Sequence, residues 1–164
     1  MSESSSKIPA LSIVMPTYKR PDMIRRAVKS VMLQTVTDWE LVISDDEDPP
    51  GPTWQYLRQI AAKDRRIRIV RNPEDHGQIP NNNYVLRQAR APWIKPLYDD
   101  DALKPGCLQR MLLATLKKPE ASVLICLADN YLNNELSKPG LRGAASTLEY
   151  LAPDDALLAA YLQD

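Results

Sequence analysis

From Leu11 to Leu127 short, almost wholly apolar runs alternate with longer amphipathic segments, and this rhythm constrains the fold more than any other feature. Leu11 to Met15 is a continuous apolar run closed by Pro16. Such a run reads as a parallel strand covered on both faces. Pro21 then opens a helix where its missing N–H costs little. Met23, Ile24, Ala27, Val28, Val31 and Met32 give that helix one apolar stripe, with Arg25, Arg26 and Lys29 opposite. Further strands are expected at Trp39–Ser44, Ile67–Val70, Trp93–Tyr98 and Ser122–Leu127. Further helices are expected around Trp54–Ala61, Asn81–Arg90 and Leu108–Leu116, and a terminal one around Leu157–Leu162. Strand and helix in alternation imply an α/β sandwich on a mainly parallel sheet.

In sheets of this kind ligands bind outside the carboxyl ends of the strands. Three polar clusters fall at that edge: Pro16-Thr17-Tyr18, Asp45-Asp46 and Asp99-Asp100-Asp101. Three adjacent carboxylates repel one another, so bringing them together requires a cation or bound donors. Two or three carboxylates with room for water suit a hard divalent cation that also grips phosphate oxygens. Each cluster has a plain alternative. Asp99–Asp101 reads equally as an acidic surface turn, and Asp45-Asp46 as a helix cap in a Pro-rich segment. Their common place after predicted strands favours a shared pocket.

Composition narrows the class. Lys plus Arg is 21 and Asp plus Glu is 21, so no net field attracts nucleic acid or an anionic membrane. No apolar run reaches the roughly 20 residues of a membrane span. Met1 to Lys7 is Ser-rich and lacks the apolar core of a signal peptide. Cys107 and Cys126 lie in apolar surroundings without metal-ligand spacing, as buried thiols of a reducing compartment do. The lone His76 reads as solvated in a polar loop beside Gly77, and Arg65, Arg66 and Arg68 as a solvated edge.

Four pieces carry a family resemblance: LSIVMPTYKRP, SVMLQTVTDWELVISDD, the Gly77–Asn83 loop and PLYDDDALKPG. In order and spacing, over residues 10–127, they resemble the family-2 glycosyltransferases of the GT-A fold. That resemblance implies a nucleotide-diphosphate-sugar-binding domain over residues 10–127. Residues 1–9 precede it as a disordered tail, and residues 128–164 follow as part of an acceptor side ending in a helix. It also implies roles. Pro16, Thr17 and Tyr18 meet the nucleotide base, and Asp46, accompanied by Asp45, accepts a hydrogen bond from it. Asn83 opens the helix before the fourth strand, and with Asn81, Asn82 and Arg71 reaches ribose or phosphate. Asp99 meets ribose and metal, and Asp100 and Asp101 complete a site for Mn2+ or Mg2+.

The expected activity is inverting transfer of a glycosyl group from a nucleotide-diphosphate sugar, UDP-linked, to a carbohydrate or lipid-linked acceptor hydroxyl in polysaccharide biosynthesis. The expected location is cytoplasmic, or peripheral to a membrane. Two departures stand out. Tyr98 occupies a position where many members carry another Asp. No residue after Leu127 matches the family's general base, which is expected beyond the chain end, in the acceptor-binding half. The alternative is a non-catalytic nucleotide-sugar-binding module. Dinucleotide binding is excluded by the lack of G-x-G-x-x-G. A dehalogenase-type phosphatase or receiver domain would need its acidic motif after the first strand, which ends instead on Pro16-Thr17.

Overall fold

The structure, a computed structural model, describes residues 7–73, 76–124, 126, 128–132 and 135–138. The chain divides into two compact units, Met1–Leu112 and Leu113–Asp164. The first holds strands β1 (Leu11–Thr17), β2 (Trp39–Asp45), β3 (Ile67–Val70) and β4 (Trp93–Pro96). Between them run helices α1 (Pro21–Met32), α2 (Pro52–Ala61) and α3 (Gln78–Arg87), and α4 (Cys107–Lys117) begins at the end of this unit. The four strands are all parallel and stand in the order β3-β2-β1-β4.

Strand residues alternate between two cores because successive side chains point to opposite faces. Leu11, Ile13, Met15, Leu41 and Ile43 pack with Ile24, Val28 and Val31 of α1, Leu57 of α2, and Leu108 of α4. Val14 and Val42 face the other way and meet Val85 of α3. Both faces of β1 and β2 are thereby covered, which is why these strands read as nearly continuous apolar runs, interrupted near their starts by Ser12 and Glu40.

At the amino end of the sheet one buried carboxylate organises the connections. Glu40 is 1% exposed. Its Oε1 accepts from the Ser12 hydroxyl at 2.7 Å and the Arg90 backbone N–H at 2.8 Å. Its Oε2 accepts from the guanidinium groups of Arg68 at 3.1 Å and Arg90 at 2.9 Å. Arg68 also donates to the Gln88 carbonyl, so the α3–β4 connection is tied to β2 and β3. Arg66 stacks on the Trp39 ring and pairs with Asp64. Arg66 and Arg68 are therefore engaged in the fold at the end of the sheet away from the cleft, and Arg65 is exposed.

Pro96 sits in β4 without cost. β4 is an edge strand among the described residues, and the Leu97 N–H, not that of residue 96, bonds the Val14 carbonyl at 3.0 Å. The backbone of residue 96 thus faces outward, and the missing donor removes no ladder bond. β4 ends at Pro96, two residues short of the expected Tyr98.

In the second unit, β5 (Asn130–Leu132) and β6 (Glu135–Lys138) form an antiparallel hairpin. The strand expected over 122–127 is not seen among the described residues of that range: 122–124 and 126 are irregular, and Val123 is 67% exposed. Cys107 is half-buried and Cys126 exposed, so neither is the buried thiol expected of apolar surroundings. The N-terminal tail up to Ser6 and the terminal helix over 157–162 fall outside the described residues.

The Glu40 cluster generates a signed prediction. Burial raises the Glu40 pKa, but the bonds from Ser12, Arg90 and Arg68 outweigh it and hold the carboxyl below its ordinary 4.5. Its stabilising contribution is therefore complete above that value and fades as pH falls through the lower folded one. Glu40→Gln turns an amide donor toward two guanidinium groups. It should cost about 2–4 kcal/mol in urea unfolding at pH 7, and the gap to wild type should narrow toward pH 3.

Candidate active site at the carboxyl edge of the sheet

The carboxyl ends of β1, β2 and β4 open onto a cleft of about 980 Å³. Pro16, Thr17, Tyr18, Asp46, Tyr98, Asp99 and Asp100 line it, together with Arg20, Asp48, His76, Gly77, Gln78 and Asn81. All of these belong to the first unit.

Each part of the rim is held by identifiable bonds. The Asp46 N–H donates to the Thr17 carbonyl at 3.0 Å, which locks the ends of β1 and β2 together. Asn81, in the first turn of α3, is 3% exposed and donates Nδ2 to the Ser44 carbonyl at 3.1 Å. It also reaches the Thr17 carbonyl at 3.4 Å. Its Oδ1 is buried without a hydrogen-bond partner among the described residues. This Asn fastens α3 to both strand ends, a task for which its poor helix propensity is no obstacle at a helix start.

Asp46, 6% exposed, accepts from the Gly77 N–H at 2.6 Å through Oδ2. Its Oδ1 lies 2.9 Å from His76 Nδ1. Gly77 adopts φ +116°, a conformation that L side chains rarely adopt, and so delivers its N–H to the carboxylate at the entry to α3.

The segment after β4 is bolted to α1. The Ser30 hydroxyl accepts from the Leu103 N–H at 3.0 Å. Gln34 donates to the Lys104 carbonyl at 3.1 Å and accepts from the Leu108 N–H at 3.1 Å. A guanidinium nitrogen of Arg26 donates to the Asp100 carbonyl. These bonds fix the backbone that carries Asp99 and Asp100.

Asp99 is 5% exposed. Its Oδ2 accepts from the Thr17 hydroxyl at 2.7 Å, and its Oδ1 lies 3.2 Å from Arg20 Nη1. The same nitrogen lies 3.1 Å from Asp100 Oδ2. Two carboxylates from adjacent residues thus converge on one cationic atom. A divalent cation that keeps part of its coordination for phosphate and water needs one or two carboxylates, and this donor set fits it.

The structure does not gather the whole expected set. Asp101 does not line the cleft, and no group of three His, Cys, Asp or Glu side chains among the described residues is arranged to hold a metal. Burial and the neighbouring Asp100 charge raise the Asp101 pKa. Asn83 is exposed on α3 outside the cleft lining, two positions along the helix from the buried Asn81. Arg71 is turned to the Glu47 carbonyl and the Asp48 carboxylate and does not itself line the cleft. Asp45 is fully buried, with Oδ1 accepting from the Glu47 N–H at 3.2 Å and Oδ2 unpartnered in the protein. Sequence reasoning assigned no role to Arg20, His76, Gly77 or Gln78, which all line the cleft. Arg20 stands directly after Pro16-Thr17-Tyr18-Lys19, and His76 beside the loop glycine, so nearness to motif residues was the available signal.

Comparison with solved structures defines the class first. A Staphylococcus aureus TarS structure in complex with UDP-GlcNAc superposes with a TM-score of 0.58 at 19% identity, covering 66% of this chain and 32% of that one. The mannosyltransferase PcManGT from Pyrobaculum calidifontis, in complex with GDP-Man and Mn2+, gives 0.51 at 20% identity, covering 59% and 29%. The fold is that of the GT-A glycosyltransferases. Residues 12–154 match the family described as glycosyl transferase family 2, and the chain belongs to it. A Campylobacter jejuni relative named GalNAc(5)-diNAcBac-PP-undecaprenol beta-1,3-glucosyltransferase is 32% identical over 107 residues, 64% of this chain. This chain spans about a third of the length of that relative, the match covering 34% of it.

Burial pushes the Asp45 pKa up to about 6 from 3.8, against the Glu47 N–H bond that favours its charged form. Ionised Asp45 therefore costs stability above about pH 6, and the cost disappears as pH falls toward 3.8. Asp45→Asn should raise unfolding free energy by about 2 kcal/mol at pH 8 and leave it nearly unchanged at pH 4. Denaturant titration at the two pH values measures this.

Proposed function

We propose that this chain is the donor-binding part of a glycosyltransferase that takes a nucleotide-diphosphate sugar, UDP-linked, together with Mn2+ or Mg2+. The observation that carries the reading is the convergence of Thr17, Tyr18, Asp46, Asp99 and Asp100 on one cleft at the carboxyl edge of the sheet.

The residues divide the work by their chemistry. Tyr18, half-exposed at the rim, offers a ring face to the base. Asp46 can only accept, so it suits an imide N–H of a pyrimidine. Its oxygens already receive Gly77 and lie beside His76, and each keeps a further lone pair for the base. Thr17 orients Asp99 through its hydroxyl, which leaves the other oxygen of Asp99 turned to the cation position beside Asp100. A divalent cation at Asp99 and Asp100 supplies neutralisation of the diphosphate leaving group when bound. Asp45 and Arg71 hold the turn after Asp46 through the Glu47 N–H and carbonyl.

The transfer itself is inverting attack by an acceptor hydroxyl at the anomeric carbon, the acceptor being a carbohydrate or a lipid-linked glycan. The bound UDP-GlcNAc and GDP-Man of the structural neighbours support a nucleotide sugar, and the Mn2+ of one supports the cation. The lipid-linked acceptor in the name of the Campylobacter relative supports the second substrate. No described helix is long and apolar enough to cross a membrane.

Calorimetry with UDP and GDP, in Mn2+ and in chelator, tests the reading. UDP should bind roughly tenfold or more tightly with Mn2+, and Asp100→Ala should abolish that difference. Equal affinity in chelator defeats the metal assignment. Tight binding of UDP-sugar without transfer to any acceptor favours a binding module.

A further inference from the structure

Arg20 holds the position that the reading above gives to a metal. Its Nη1 lies 3.2 Å from Asp99 Oδ1 and 3.1 Å from Asp100 Oδ2. Divalent cations sit about 2.0–2.6 Å from carboxylate oxygens. An ion bridging this pair at those lengths would crowd the guanidinium, so the two cations compete for the carboxylates. We propose that Arg20 is a built-in counter-cation that excludes free metal from Asp99 and Asp100 and yields to it only when the donor's diphosphate arrives, to which the guanidinium transfers. This rests on the metal-dependent donor binding proposed above.

Three observations support the exchange. The Asp99 side chain is 7% exposed, and a carboxylate that buried needs a countercharge whether or not substrate is bound. The Arg20 and Asp100 side chains are about half-exposed, at 49% and 51%, and an ion pair so hydrated is weak and easily exchanged. Lys19 adopts φ +54°, unusual for a residue with a side chain, in the turn that carries the chain from β1 to Arg20 at the start of α1. Backbone strain of this kind persists where function requires the placement. The guanidinium also has a destination, because its planar fork matches two phosphate oxygens as well as two carboxylates.

The test is Mn2+ binding without nucleotide, followed by the paramagnetic resonance signal of free aqueous Mn2+. Arg20→Gln should bind Mn2+ roughly tenfold more tightly than wild type. The double variant Arg20→Gln/Asp100→Asn should lose that gain. In saturating Mn2+, Arg20→Gln should bind UDP more weakly than wild type, whereas uridine affinity should not change. Unchanged or weaker Mn2+ binding by a folded Arg20→Gln protein overturns the inference. If that variant does not fold, Arg20→Lys replaces it. Its hydrated point charge should give a smaller gain of the same sign, and no gain overturns the inference. Metal-dependent UDP binding alongside unchanged Mn2+ affinity in the variant rejects the Arg20 role alone. UDP binding that ignores chelator in every variant rejects the metal reading and this inference with it.

Discussion

The placement of β1 between β2 and β4 is the constraint on which the rest of the molecule depends. Its backbone is bonded on both sides in parallel register, from Leu11 against Trp39 and Trp93 onward. Parallel pairing brings all three carboxyl ends to one side, so Thr17, Asp46 and Asp99 meet although up to 82 residues separate them in sequence. No single turn could bring them together. The apolar runs supply the energy through burial, and the cleft is where those runs stop.

The two ends of the sheet solve one electrostatic problem differently. At the amino end, Glu40 is closed in by two arginines and two further donors, a saturated cluster that ties the connections of the fold. At the carboxyl end, Asp99 has one hydroxyl and one half-exposed arginine. The first arrangement is built to stay, and the second leaves room for a ligand to change the partners.

The sheet, the helices around it and the common edge were legible in the sequence because burial on both faces forces nearly continuous apolar runs, as at Leu11–Met15 (Ser12 apart) and Leu41–Ile43. Thr17, Tyr18, Asp46, Asp99 and Asp100 were legible because they follow those runs directly. Side-chain direction was not. Asn81 rather than Asn83 turns inward, because the first turn of α3 faces the strand ends and two further residues rotate a side chain away. Arg71 and Asp101 lie close in sequence to residues that line the cleft, yet their places depend on turns whose geometry no periodicity encodes. The run over 122–127 is apolar enough for a strand, but β-propensity depends on context that composition does not reveal, and its described residues are irregular.

Pro96 has an effect beyond its own strand. Because its backbone faces away from β1, the outer rim of β4 offers one N–H fewer to any segment that tries to extend the sheet there, and Lys95 stands beside it. Lysine and proline on a short edge strand are the means by which sheets avoid templating other chains. Among the described residues, the two that look least suited to a strand thus stand on the outer one, where they blunt an exposed edge at no cost to the ladder inside.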